Sequence, residues 1–218
     1  KGAVLVGDFL YSRAFEIIVE INSTEIYKTL AHTTNTIAQG EVMQLMNIEN
    51  TKLTEEDYME IIYRKTAILF EASAKIGGIS SSCDESQIDN LQKYGYHFGI
   101  AYQLRNDFLD YFGSRSETGK NLTEDLIEGK VTLPIIHSLV NCSDVERSSI
   151  EEAIVGENSS TQSEEIISIL KRNKSDLYLQ DKINEQTNLA LSYLDKISSS
   201  DDADLLRKVA EMCRSRDR

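Results

Sequence analysis

The chain has 218 residues, 40% of them hydrophobic, which suits one large domain with a sizeable core better than two complete ones. A formal charge of −13 and a pI near 4.7 exclude a nucleic-acid surface, because phosphate backbones are bound through clustered Lys and Arg. Cys83, Cys142 and Cys213 form no CxxC pair, which excludes a zinc site or disulfide framework and fits a reducing cytoplasm.

Tryptophan is absent, Pro134 is the single proline and there are only 11 glycines, so the chain is predicted to be all-helical. No apolar run reaches the ~18 residues of a membrane span. The opening "KGAVLVGDFLYSRAF" meets Asp8 too early for a signal-peptide core.

The first helices are predicted over Ala3–Val19 and Glu25–Asn47. The third lies in "LTEEDYMEIIYRKTAILFEASAKIGG". There Thr54 and Asp57 form a capping box with the shorter acid, Glu55 and Glu56 face the N-terminal dipole, and Gly77-Gly78 supplies a stop. Its apolar stripe runs through Tyr58, Ile61, Ile62, Leu69 and Ala72, and Lys65 falls within it. An ammonium turned to a packed face is costly unless it is paired or faces a cavity, so Lys65 is either a snorkelling side chain or a functional one.

A long helix follows over Asp84–Phe112. Within it Gln103, Asn106, Asp107 and Asp110 share one arc of roughly 100°, while Leu104, Phe108, Leu109, Tyr111 and Phe112 fill most of the rest. A helix apolar around most of its girth is buried, so this arc is either a narrow solvated stripe or the wall of a site. The loop-like "GSRSETGKNLTEDLIEGKVTLP" adds Lys120 and Lys130, each after a glycine. Neighbouring carboxylates can share a hard divalent cation, and Mg²⁺ in particular is completed by substrate phosphates. With Lys65, Lys120 and Lys130 nearby, the arc becomes a candidate diphosphate clamp.

Further helices are predicted over Pro134–Val140, Val145–Val155, Ser163–Asn173, Leu177–Ile197 and Asp201–Arg214, with Asp201 or Asp202 capping the last. No period-2 strand pattern competes with them.

"QLRNDFLD" followed by "GKNLTEDLIEGKVTLP" resembles the second aspartate-rich motif and flanking lysines of the trans-prenyl diphosphate synthases. "AVLVGDFLYSRAF", "AQGEVMQL" and "YRKTAILFEASAKIGG" agree in order. "GEVMQLMN" and the closing "SRDR" are most similar to the bacterial octaprenyl branch of that family, which makes the ubiquinone side chain.

The resemblance implies an all-α, isoprenoid-synthase-type bundle around a central cavity, with residues 1–218 as a single domain lacking its N-terminal part. It implies a cytoplasmic homodimer using Mg²⁺, an allylic prenyl diphosphate and isopentenyl diphosphate, with transient membrane-surface contact at product release. Lys65, Thr66, Gln103, Lys120 and Lys130 are then expected to hold the allylic diphosphate, with Lys65, Gln103, Lys120 and Lys130 catalytic. Asn106, Asp107 and Asp110 are expected at the metal. The implied product is a long all-trans chain, octaprenyl.

The sequence departs from the family pattern twice. Asn106 stands where the motif usually begins with aspartate, and an amide oxygen binds Mg²⁺ more weakly than a carboxylate. The first aspartate-rich motif belongs upstream of Lys1, so the chain is expected to be the C-terminal part of a longer synthase. A short-chain farnesyl or geranylgeranyl synthase, a non-catalytic subunit of a heteromeric synthase and a class I terpene cyclase remain alternatives.

Overall fold

A computed structural model describes residues 2–113, 123–155, 159–197 and 201–214, with residues 159–161 described by their backbone alone. Among the described residues the chain is helical, without strands. The elements are α1 (Gly2–Ile21), α2 (Thr24–Met46), α3 (Glu55–Ile62), a π turn (Tyr63–Ala67), α4 (Ile68–Ser80) and α5 (Glu85–Phe112). They are followed by α6 (Glu124–Ile127), α7 (Leu133–Asn141), α8 (Asp144–Val155), α9 (Ser159–Arg172), α10 (Ser175–Leu194) and α11 (Asp201–Glu211).

The expected cap at Thr54 is present. Thr54 Oγ1 accepts the Asp57 N–H at 3.1 Å and donates to Asp57 Oδ2 at 2.7 Å. Asp84 and Gln87 form a reciprocal capping box that opens α5. Asp201 and Asp202, expected to cap the last helix, lie instead within the first turn of α11, where acids favour the dipole.

The centre of the bundle is α5, which buries Tyr94, Ile100, Ala101, Leu104, Phe108 and Tyr111. α4 and α10 lie along it, and α10 contributes Leu179, Ile183, Ala190 and Leu194 to its packing. A main core joins α3, α5, α7, α8, α9 and α10 through residues such as Ile61, Leu104, Leu133, Ile150, Ile169 and Ile183. A smaller cluster of Tyr94, Ala190, Leu194, Ala203 and Ala210 holds α11, where the Tyr94 hydroxyl donates to the Leu206 carbonyl at 2.8 Å. α3 is tied across to α10 by Glu55, which accepts from the Tyr178 hydroxyl at 2.6 Å and pairs with Lys182 at 2.9 Å.

Two local expectations fail for physical reasons. The helix does not stop at Gly77-Gly78; α4 runs on to Ser80, and the bare Cα of Gly78 lets Ile88 and Leu91 of α5 come close. The apolar stripe also changes phase. Leu69 is 48% exposed, while Ala67 and Ile68 are buried, because the π turn places one more residue in the helix than an α turn holds.

The π turn is clamped from both sides. A Cβ on Gly40 of α2 would lie 2.6 Å from the Lys65 backbone nitrogen, and one on Gly99 of α5 would lie 2.6 Å from the Ala67 Cα. Only residues without a side chain allow these backbones to meet.

α1 buries none of its residues, leaving Val4, Leu5, Phe9 and Leu10 among its exposed apolar side chains. An apolar cavity of about 420 Å³ lies between α4, α5 and α11, walled by residues including Phe70, Ala74, Leu91, Tyr94, Phe98 and Leu206. No described helix is long and apolar enough to cross a membrane.

Candidate active site

A smaller cavity, of about 80 Å³, opens between α2, the α3–α4 segment and α5. Its polar lining includes Gln44, Lys65, Thr66, Gln103, Asp107, Asp125 and Lys130, and Tyr58 also borders it. The π turn delivers Lys65 and Thr66 as consecutive residues to one wall, and α5 delivers Gln103 and Asp107 one turn apart to another.

Lys65 is half-buried; its Nζ donates to Gln44 Oε1 at 2.5 Å and pairs with Glu41 at 3.1 Å. Glu41 and Gln44, polar at helical spacing on α2, thus form the cradle of this lysine. Thr66 Oγ1 donates to Gln103 Oε1 at 3.1 Å, and Gln103 Nε2 donates to Asp107 Oδ1 at 2.8 Å.

Asp107 is 1% exposed, and its second oxygen accepts the hydroxyl of the equally buried Tyr58. Burial, reinforced by the nearby Asp125 charge, pushes the Asp107 carboxyl up to about 7, against the hydrogen bonds from Tyr58 and Gln103 that favour its charge. Burial also lifts the Tyr58 hydroxyl well above its ordinary range, with the Asp107 charge adding to it.

Asp110 anchors the returning chain. Its backbone carbonyl accepts the Thr123 N–H at 2.8 Å, and its carboxylate accepts the N–H groups of Glu124 at 3.0 Å and Asp125 at 3.2 Å. Burial followed by the Asp125 charge raises Asp110 to about 6. Asn106 is exposed and lies outside the cavity lining.

Lys130 reaches the cavity after a left-handed turn at Gly129, where φ is +70° and the carbonyl accepts the Glu49 N–H at 2.8 Å. Its Nζ pairs with Asp125 at 2.9 Å and Glu128 at 2.6 Å. Burial works against the ammonium, but the hydrogen bonds it donates to Glu128 and Asp125 outweigh it and hold Lys130 above its usual range.

Lys65, Thr66, Gln103, Asp107 and Lys130 therefore share one cavity, Asp110 and Asn106 flank it, and Lys120 lies outside the described residues. Tyr58 and Asp125 join the site without being expected there: Tyr58 lies in the apolar stripe of its helix, and Asp125 is one of several acids in a loop-like stretch. The sequence signal for Asp125 was its place five residues before Lys130, between two glycine-lysine pairs.

Asp107, Asp110 and Asp125 are hard oxygen donors, and the two raised carboxyls carry repulsion that a divalent cation would relieve. The donor chemistry fits such an ion, although no described group of three His, Cys, Asp or Glu side chains is already gathered as a ligand set.

An all-helical bundle with lysines, amides and acids converging on one cavity is the architecture of the isoprenoid-synthase class. The chain belongs to the polyprenyl synthetase family, whose model matches residues 1–171. It is 36% identical to the octaprenyl diphosphate synthase of Escherichia coli strain K12 over 216 residues, covering 99% of this chain and 67% of that protein. It is also 36% identical to an all-trans-nonaprenyl-diphosphate synthase of Rhodobacter capsulatus, covering 91% of this chain but 60% of that one. A polyprenyl synthase from Caulobacter crescentus CB15, solved with calcium and isoprenyl diphosphate, superimposes with a TM-score of 0.92 at 34% identity. That likeness covers 98% of this chain and 65% of the Caulobacter one. The chain thus spans about two thirds of the length of its relatives.

Proposed function

We propose that this chain carries the allylic-diphosphate side of a trans-prenyltransferase. The reaction adds isopentenyl diphosphate repeatedly to an allylic diphosphate, giving a long all-trans polyprenyl diphosphate, octaprenyl, for quinone side chains. The observation that carries this reading is the convergence of Lys65, Thr66, Gln103 and Lys130 on the cavity that Asp107 and Asp125 also line. Relatives named as octaprenyl and nonaprenyl synthases support the long product.

In this reading Lys65 and Lys130 neutralise the diphosphate, while Gln103 and Thr66 orient it by hydrogen bonds. Lys120 belongs to the same clamp. Asn106, Asp107, Asp110 and Asp125 are the residues that would hold Mg²⁺, which when bound would supply further positive charge against the departing diphosphate. As the allylic C–O bond breaks, negative charge grows on the leaving oxygen, and the fixed ammonium groups stabilise it more than they stabilise the intact ester. The isopentenyl double bond then attacks the allylic carbon, and loss of a proton restores a double bond in a product five carbons longer.

The protein acts as a cytoplasmic homodimer that touches a membrane only when its apolar product leaves. The test is incubation of the full-length protein with Mg²⁺, isopentenyl diphosphate and a labelled allylic diphosphate, followed by reversed-phase separation. A C40 product is expected. C15 or C20 products alone would refute the long-chain assignment, and product formed without isopentenyl diphosphate would point to a cyclase.

A further inference from the structure

Tyr58 lies on α3, outside the motif that brings Asp107 and Gln103 to the cavity, yet its hydroxyl ends on Asp107. We propose that Tyr58 is a positioning residue for diphosphate binding: through the buried Asp107 carboxylate it fixes which way round the Gln103 carboxamide sits. The proposal rests on the reading of the cavity as a diphosphate site.

The two ends of a carboxamide are nearly the same size, so hydrogen bonds rather than shape decide which end faces which neighbour. An ionised Asp107 only accepts. It takes the Tyr58 O–H on Oδ2 and the Gln103 N–H on Oδ1, which turns the nitrogen end of Gln103 toward it. The oxygen end then faces Thr66, whose hydroxyl donates to it at 3.1 Å. This order leaves the second N–H of Gln103 for an anion in the cavity that Gln103 lines. Reversed, the amide would offer a carbonyl oxygen to a phosphate, which repels it.

Tyr58 keeps the order stable because it satisfies the far oxygen of Asp107. Without that hydroxyl, Gln103 is the one remaining donor of the pair. The far oxygen of the buried carboxylate is then unpartnered, and Asp107 turns to recover a donor, carrying the Gln103 amide out of place, since an unpartnered buried acceptor is costly. The anion loses its hydrogen bond to Gln103, although the Tyr58 hydroxyl was spent on Asp107 and not on the anion.

The experiment is calorimetric titration of the full chain with inorganic pyrophosphate in metal-free buffer at pH 8.5, where Asp107 is ionised and a lost metal ligand cannot account for any change. Tyr58→Phe, Gln103→Ala and the double variant are compared with the wild type, with urea unfolding as a check on the fold. Tyr58→Phe is expected to weaken binding about tenfold, the typical effect of one hydrogen bond to a charged group. The double variant is expected to bind no worse than Gln103→Ala alone, because Tyr58 acts only through Gln103.

Multiplying losses in the double variant, or unchanged affinity in Tyr58→Phe, would overturn the proposal and leave the site reading intact. Wild-type affinity in Gln103→Ala, or no binding by the wild type, would overturn both. If Tyr58→Phe does not fold, Asp107→Asn replaces it. Its amide donates as well as accepts and frees Gln103 to turn, so a similar loss is expected and unchanged affinity overturns the proposal.

Discussion

Lys65 on the π turn and Gln44 on α2 meet at 2.5 Å, with Glu41 one turn earlier pairing with the same ammonium at 3.1 Å. The lysine is held by a neighbouring helix while its head faces the cavity. Lys65→Ala should therefore separate stability from activity. The lost partly exposed pairing costs about 1 kcal/mol or less. Removing a cation from the leaving group should cut kcat/KM about a hundredfold, raising KM for the allylic substrate and lowering kcat. Urea melts and steady-state kinetics test both halves; unchanged kinetics would return Lys65 to a snorkelling role.

The glycine clamp around the π turn predicts an opposite pattern. Gly99→Ala pushes a methyl group against the Ala67 backbone and should destabilise the chain by about 1–3 kcal/mol, as overpacking does. Gly40→Ala meets the Lys65 nitrogen and should also weaken allylic diphosphate binding. Equilibrium denaturation at neutral pH that left Gly99→Ala as stable as the wild type would show that the helices part freely.

Asp107 makes folding stability depend on pH. Its carboxyl rises from 3.8 to about 7 on folding, and Asp110 rises to about 6. The folded chain therefore binds more protons than the unfolded chain between about pH 4 and pH 7, and stability must fall as pH rises through that window. His137, whose pKa burial lowers, contributes the opposite slope but is only part-buried. Unfolding free energies taken at intervals from pH 5 to pH 8 without divalent metal should fall up to about pH 7 and then level off, the loss amounting to about 1.4 kcal/mol per unit of retained shift. A flat or rising profile would mean Asp107 stays charged throughout.

Asn106 is exposed, so Asn106→Asp should change stability by no more than about 0.5 kcal/mol. An added carboxylate beside Asp107 and Asp110 should lower the Mg²⁺ concentration needed for half-maximal activity severalfold. Magnesium titration of the two forms tests this, and an identical requirement would remove position 106 from the metal.

The bundle was readable because its helices carry their own signals. Thr54 caps where its hydroxyl predicts, and the girth of α5 matches a buried helix. Leu69 was misplaced because a π turn interrupts the period on which such readings depend. Gly77-Gly78 looked like a stop because a glycine that ends a helix and one that lets another helix approach look the same in one dimension. The Lys65, Thr66 and Gln103 group was recognisable as motifs, whereas Tyr58 and Asp125 were not. Tyr58 sits 49 residues from the carboxylate it serves, and only folding brings the two together.

The π turn between α3 and α4 makes residue count a source of information independent of residue identity. Lose any one position from Tyr63–Ala67, and the segment can close as an ordinary α-helix. The helices on either side then keep their relative rotation, because the residue removed is the extra one that the π turn absorbs. Lys65 and Thr66 lie within the turn and could not both keep facing Gln44 and Gln103, whereas Tyr58 could keep facing Asp107. A conservative substitution in this segment changes one side chain, whereas a single-residue deletion would redirect the cavity-facing side chains of the turn and leave the bundle around them in place.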